Sequence, residues 1–329
     1  MRTIKETLIE IQTTSVEITV YEELESIVKS MIMPPADTLR FNRINSRTVI
    51  SEGYYYVPDD IIVEEDGELI IEPGVQLNFA QGKGIVALGK LFINGTADNL
   101  VIITGKGWSN ISIVGEKSEG SVVSNAVIYD GNGRDKIPGY KHGFYDNRSS
   151  IVGGNLLTEL THIELSNIIL IKGKAEIGGG LYCGSCFMIA DNLIVYKNEA
   201  NSGGGGGGIT IASPREYKCS YSKLINSKII SNFSTGTGGI YIFRGHLIVD
   251  QSIIKHNVAS WGCGGLELST LPSDHTDIRI ANSIIENNTG THCGGINYQN
   301  SKPLGDDVLS NIIRNNISTL DYDHNMKQW

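Results

Sequence analysis

The sequence predicts an all-β chain, wound as a single right-handed parallel β-helix (a β-solenoid) of roughly ten coils with a short N-terminal helical cap. Three observations carry this. A heptapeptide recurs six times in the second half, starting at Asn167, Asn192, Asn226, Gln251, Asn282 and Ser310, with starts 25, 34, 25, 31 and 28 residues apart. A glycine cluster and a new apolar strand follow most copies, as in Gly178–Cys183, Gly205–Ile211, Gly238–Ile242, Gly264–Leu268 and Gly294–Tyr298. The apolar runs are three to five residues of mostly Ile and Val, bounded by Gly, Asn and Ser. Runs that short are strands and turns, whereas helical repeats need 3.6-residue periodicity over a longer stretch. A fixed unit of this length is a stacked repeat, in which each coil buries its apolar face only against its neighbours.

Residues 1–52 lie outside this repeat. Within Val20–Met33, the residues Leu24, Ile27, Val28, Met31 and Ile32 fall at helical spacing, and Pro34-Pro35 ends the helix. The expected role is a cap over the open end of the first coil, with a docking or oligomerisation segment as the alternative. Residues 53–329 form the β-helix. Its first half uses different wording in the same style, from Tyr54 to Gly105 and on through Trp108 to Ile113. An irregular insertion at about 129–154 mixes Gly, cations and aromatics, and long loops on rigid scaffolds are where function commonly sits.

In the second half the inward side chains are expected to stack as Leu181, Ile209, Ile240, Leu266 and Ile296. A parallel stack follows as Cys183, Ile211, Ile242, Leu268 and Tyr298. The seventh-position residues Asn198, Asn232, Asn257, Asn288 and Asn316 are expected to bond one another along the axis as an asparagine ladder, and to take up left-handed backbone there. The final copy lacks a following glycine pair, as a terminal unit does.

The run Ile71–Phe79, the later Gly95-Thr96, the strand Ile102–Gly105 and the following Trp108 resemble right-handed parallel β-helix proteins of the pectin-lyase-like superfamily. The resemblance spans about residues 53–316 and speaks to fold. That fold hosts lyases, hydrolases, epimerases, adhesins and viral spikes, so function must be argued from a site. Lyases of the fold imply a calcium ion held by carboxylates, and hydrolases imply paired Asp residues. Spike-like members imply a homotrimer. No run matches those catalytic motifs: Asp59-Asp60, Glu64–Asp66 and Asp306-Asp307 fall in turns, and Asp274–Asp277 has the wrong order.

The outward line after the glycines reads Tyr182, Thr210, Tyr241, Glu267 and Asn297, flanked by Phe243, Arg244 and Trp261. Aromatics beside amides and a carboxylate on a rigid sheet suit sugar rings. Tyr182, Tyr241, Phe243, Arg244, Trp261, Glu267 and Asn297 are therefore the expected ligand-binding residues. The expected function is a binding or structural module that recognises a poly- or oligosaccharide, adhesion-like or viral-spike-like. A polysaccharide lyase or glycoside hydrolase is the alternative, with catalytic residues unassigned. No cofactor is expected, save calcium where the ligand is acidic.

The net charge of −9 argues against nucleic acid, which needs a basic stripe. No apolar run reaches a membrane span, and the N-terminus does not read as a signal peptide. The expectation is a cytoplasmic protein, a virion component or leaderless export. Five cysteines fit free thiols in a reducing compartment, so Cys183 and Cys186 are expected to be inert, with Cys263 and Cys293 meeting only if the turns align.

Overall fold

The computed structural model describes residues 18–41, 43–140, 150–213, 221–269, 278–299 and 310–319. Among these, the strands form sheets of 17, nine and six members. Successive repeats pair in parallel, rung on rung, as in Phe187–Tyr196 on His162–Ile171 and Ile209–Ala212 on Leu181–Gly184. The architecture is solenoid-like and all-β, with one helix near the N-terminus.

Each second-half rung visits the three sheets in turn. The post-glycine strand belongs to the nine-stranded sheet and the next to the long sheet. The long sheet has two arms, divided by the first residue of each heptapeptide. Two-residue strands such as Glu199–Ala200 and Phe233–Ser234 close the rung. Register places Leu181, Ile209, Ile240, Leu266 and Ile296 in one row and Cys183, Ile211, Ile242, Leu268 and Tyr298 in another. Together with rows such as Val195, Ile229 and Ile254, they fill one continuous apolar interior. Trp108 is its largest fully buried side chain, stacked on Phe79 and donating its indole N–H to the Tyr129 carbonyl at 2.9 Å.

The seventh-position amides meet inside this interior. Asn198, Asn232, Asn257 and Asn288 each donate from Nδ2 to the Oδ1 of the next Asn, at 2.9–3.0 Å, ending on Asn316. Asn155 donates in the same way to Asn198 from the rung before. The left-handed residues, however, are not these asparagines. Positive φ falls at the first and sixth positions: Asn167 and Lys172, Asn192 and Lys197, Asn226 and Ser231, Gln251 and His256, Asn282 and Asn287, Ser310 and Asn315. The two sharp bends flank the strand, and the seventh residue follows the second bend with its amide turned inward. Asn125 and Asp130 occupy the same two corners one rung earlier, marking a further copy, Asn125–Gly131, that the sequence reading missed.

The helix Ile18–Met31 forms as its apolar spacing requires, but it does not lie over the end of the first coil. Leu24 and Val28 are fully buried on the outer side of the long sheet's second arm, against Ile102, Val127, Ile169, Ile194 and Ile230. Those residues occupy successive rungs, so the helix runs along the side of the stack. Its C-terminal end is tied by Gln76, which donates to the Met31 carbonyl and accepts from the Met33 N–H, both at 2.9 Å. Paired strands also begin within residues 1–52, at Asp37–Thr38 and Arg47–Ile50.

Candidate functional site

The nine-stranded sheet is the expected ligand face, and its outward side is largely covered. The turn before each strand folds across the strand's outward residue. These turns stack on one another through parallel bridges Val152–Ile177, Gly206–Thr237 and Cys263–Cys293. The insertion adds to the cover at the N-terminal rungs, where Ile137, Tyr140 and Val152 pack on Leu88, Val114 and Leu157. Arg134 pairs its backbone with Val152 and its guanidinium with Asp60 at 2.7 Å, which fixes the insertion's described ends against the sheet. Residues 141–149 of the insertion lie outside the described residues.

This cover decides where the expected residues sit. Tyr182 is 0% exposed, packed among Leu157, Val152, Ile177 and Ala212, so it does not line an open face. Thr210 is buried and its Oγ1 accepts the Gly206 N–H at 2.8 Å. Glu267 and Asn297 are each 8% exposed. Glu267 accepts from Thr237 Oγ1 at 2.7 Å and from Asn297 Nδ2 at 3.4 Å. These polar groups hold the turns in front of them, because a buried donor or acceptor needs a partner.

Four of the expected residues reach solvent, all on the C-terminal rungs. Tyr241 is half-buried between Thr210 and Glu267 in register. Burial pushes its phenol above the ordinary value, a hydrogen bond to Ser269 opposes this, and the Glu267 charge adds to the rise. Phe243 and Arg244 form the corner that follows, Arg244 with φ 59° and its guanidinium 4.7 Å from the Phe243 ring centre. Trp261, in the turn column, is 65% exposed and meets the His292 ring edge-on at 5.2 Å. The segments 270–277 and 300–309, with Asp274–Asp277 and Asp306-Asp307, lie outside the described residues.

Of the N-terminal acidic residues, Asp59 pairs with Arg40, Asp60 with Arg134 and Glu64 with Arg43. Among the described residues, no group of three or more His, Cys, Asp or Glu could hold a metal ion. The cysteines depart from the free-thiol expectation. Cys183 is joined to Cys186 across one corner, and Cys263 to Cys293 across adjacent rungs, because the turns stack in register.

The outer side of the long sheet's first arm, which sequence reading passed over, carries exposed or partly exposed residues such as His162, Glu164, Phe187 and Ile189. One row holds His162 beside Phe187 and Tyr221 beside His246, with ring centres 4.2 and 4.8 Å apart. The neighbouring row holds Val122, Glu164 and Ile189 in register. A cavity of about 300 Å³ opens between the two rows, with Glu119 at its rim. The signal was present as alternation in HIELS and FMIAD, but alternation alone does not say which outer face is left uncovered.

No helix among the described residues is long and apolar enough to cross a membrane. Comparison of the chain with family models, with characterised proteins and with solved structures returned no match.

Proposed function

We propose that the chain is a right-handed parallel β-helix of roughly ten coils, of the pectin-lyase-like kind, and that it works as a glycan-recognising module of an adhesion-like or spike-like assembly. The asparagine ladder, in this reading, serves the scaffold and takes no part in binding. The observation that carries the reading is the solvent-facing group of Tyr241, Phe243, Arg244 and Trp261 on the C-terminal rungs of the post-glycine side. Aromatic surface beside a guanidinium offers an apolar platform for a sugar ring and donors for its oxygens. Glu267 and Asn297 stand behind that platform as its buried support. Tyr182 is left out of the contact surface because it is enclosed.

At this face a binding role is favoured over a hydrolase. Acid–base cleavage of a glycosidic bond takes two carboxylates facing one site. Among the described residues around Tyr241, Glu267 is the one carboxylate, and Thr237 and Asn297 already engage it. A glycan array probed with the wild-type protein, Tyr241→Ala and Trp261→Ala tests the reading. Wild-type signals that fall in both variants are the expected result. Identical profiles for all three proteins remove the post-glycine face as a glycan surface.

A further inference from the structure

Among the described residues, the stacked turns cover the outer side of the nine-stranded sheet and the helix Ile18–Met31 that of the long sheet's second arm, while the first arm keeps exposed positions such as Glu164. We propose that the cavity on this arm binds a non-acidic pyranose unit of a polysaccharide. The proposal shares its ligand class with the reading above and places the ligand on a different face.

The cavity has the two halves that a sugar ring requires. Val122 and Ile189 flank Glu164 in one cross-rung row, so two aliphatic side chains provide a floor with a carboxylate between them. Phe187 forms an apolar wall, braced edge-to-face by His162 at 4.2 Å. That arrangement matches the C–H face of a pyranose, while hydroxyls at the ring's rim need acceptors. Glu164 is exposed and has no hydrogen bond or ion pair among the described residues. Glu119, also exposed, reaches His162 Nδ1 at 3.2 Å with one oxygen. Hydrogen bonds from hydroxyls to such carboxylates are charge-assisted and stronger than neutral ones.

Charge and size narrow the ligand. Two carboxylates at one small site, on a chain of net charge −9, repel uronic or other acidic sugars and favour neutral or amino sugars. A volume of about 300 Å³ is the lower end of the small-ligand range and fits one ring. Rungs repeat every ~4.8 Å, close to the length of one pyranose, so a chain laid along the axis meets new side chains at each step. Past Phe187, it reaches Tyr221 and His246, with the Arg279 guanidinium 5.5 Å from the Tyr221 ring centre.

The full chain on a glycan array, as wild type, Phe187→Ala, Glu164→Gln and Tyr241→Ala, tests this site. A set of non-acidic glycans should lose about tenfold or more in apparent affinity with Phe187→Ala and with Glu164→Gln, whether or not the same glycans respond to Tyr241→Ala. Glu164→Gln changes an exposed side chain to a neutral isostere, so its loss cannot be ascribed to unfolding; thermal midpoints of all variants check this. Signals that fall with Tyr241→Ala alone overturn the site and leave the post-glycine reading standing. Binding confined to acidic glycans overturns the site as well. A blank wild-type array overturns both.

Discussion

At the residue scale, the interior amides show why asparagine is needed. Asn257 is fully buried and uses all four of its side-chain bonding positions. Its Nδ2 donates to the Ile229 carbonyl at 2.9 Å and to Asn288 Oδ1 at 3.0 Å. Its Oδ1 accepts from the Asn232 backbone N–H at 3.0 Å and from Asn232 Nδ2 at 2.9 Å. Aspartate has no amide hydrogens to donate, and glutamine is one methylene too long for the same reach. Asn257→Ala strands donors on one side and an acceptor on the other, at a fully buried position. The expected loss is ~1–3 kcal/mol, the cost of leaving such groups unpaired. Urea denaturation of wild type and variant measures it. A change within ~0.5 kcal/mol, the size of an ordinary surface substitution, would mean that these bonds do not hold the rungs together.

At the element scale, the helix Ile18–Met31 is fastened by one carboxylate as well as by its apolar stripe. Glu25 bonds Lys172 at 2.5 Å and Lys29 at 2.7 Å, and Lys197 stands 3.6 Å away. Burial acts to raise the Glu25 pKa, but the bonds to Lys172 and Lys29 outweigh it and hold it at about 2, against an ordinary 4.5. A carboxyl whose folded pKa is depressed stabilises the fold above its ordinary pKa and loses that contribution as pH falls toward the folded value. The thermal midpoint of wild type should therefore exceed that of Glu25→Gln above about pH 4.5, with the gap closing as pH falls toward 2. A gap that does not change with pH would remove this role for Glu25. The helix also marks how far sequence reading extends. Spacing from Leu24 to Ile32 shows that one face is buried, but not against which surface, because the matching stripe is built from Ile102, Val127, Ile169 and Ile194 on separate rungs. The inward stacks were legible because strand alternation and glycine register repeat locally. Tyr182 was misplaced for the opposite reason: its cover comes from glycine-rich turns and the insertion, which carry no periodic apolar signal. The sixth-position left-handed corners escaped notice since Lys, Ser, His and Asn all occur there, as at Lys172, Ser231, His256 and Asn287.

At the scale of the whole molecule, a stack of rungs is a one-dimensional object whose stability depends on coupling between neighbours. The two disulfides act on that coupling unequally. Cys183–Cys186 closes a loop with a sequence separation of three, within one corner, so it constrains little beyond its own rung. Cys263–Cys293 has a separation of 30, a whole rung of chain, and joins the turn columns of consecutive rungs where the described C-terminal units thin out. Chain entropy assigns ~2 kcal/mol to the shorter loop and ~3–4 kcal/mol to the longer one, as values free of strain. Cys263 is fully buried and Cys293 partly so, within the stacked turns of consecutive rungs. Reductant should therefore lower the denaturation midpoint of wild type, and Cys263→Ala should account for most of that shift. In the oxidised native protein, alkylation followed by mass measurement should leave all four of these cysteines unlabelled. Four labelled thiols without unfolding, or a midpoint indifferent to both reductant and Cys263→Ala, would show that the rungs are held by the buried amides and aliphatic rows alone.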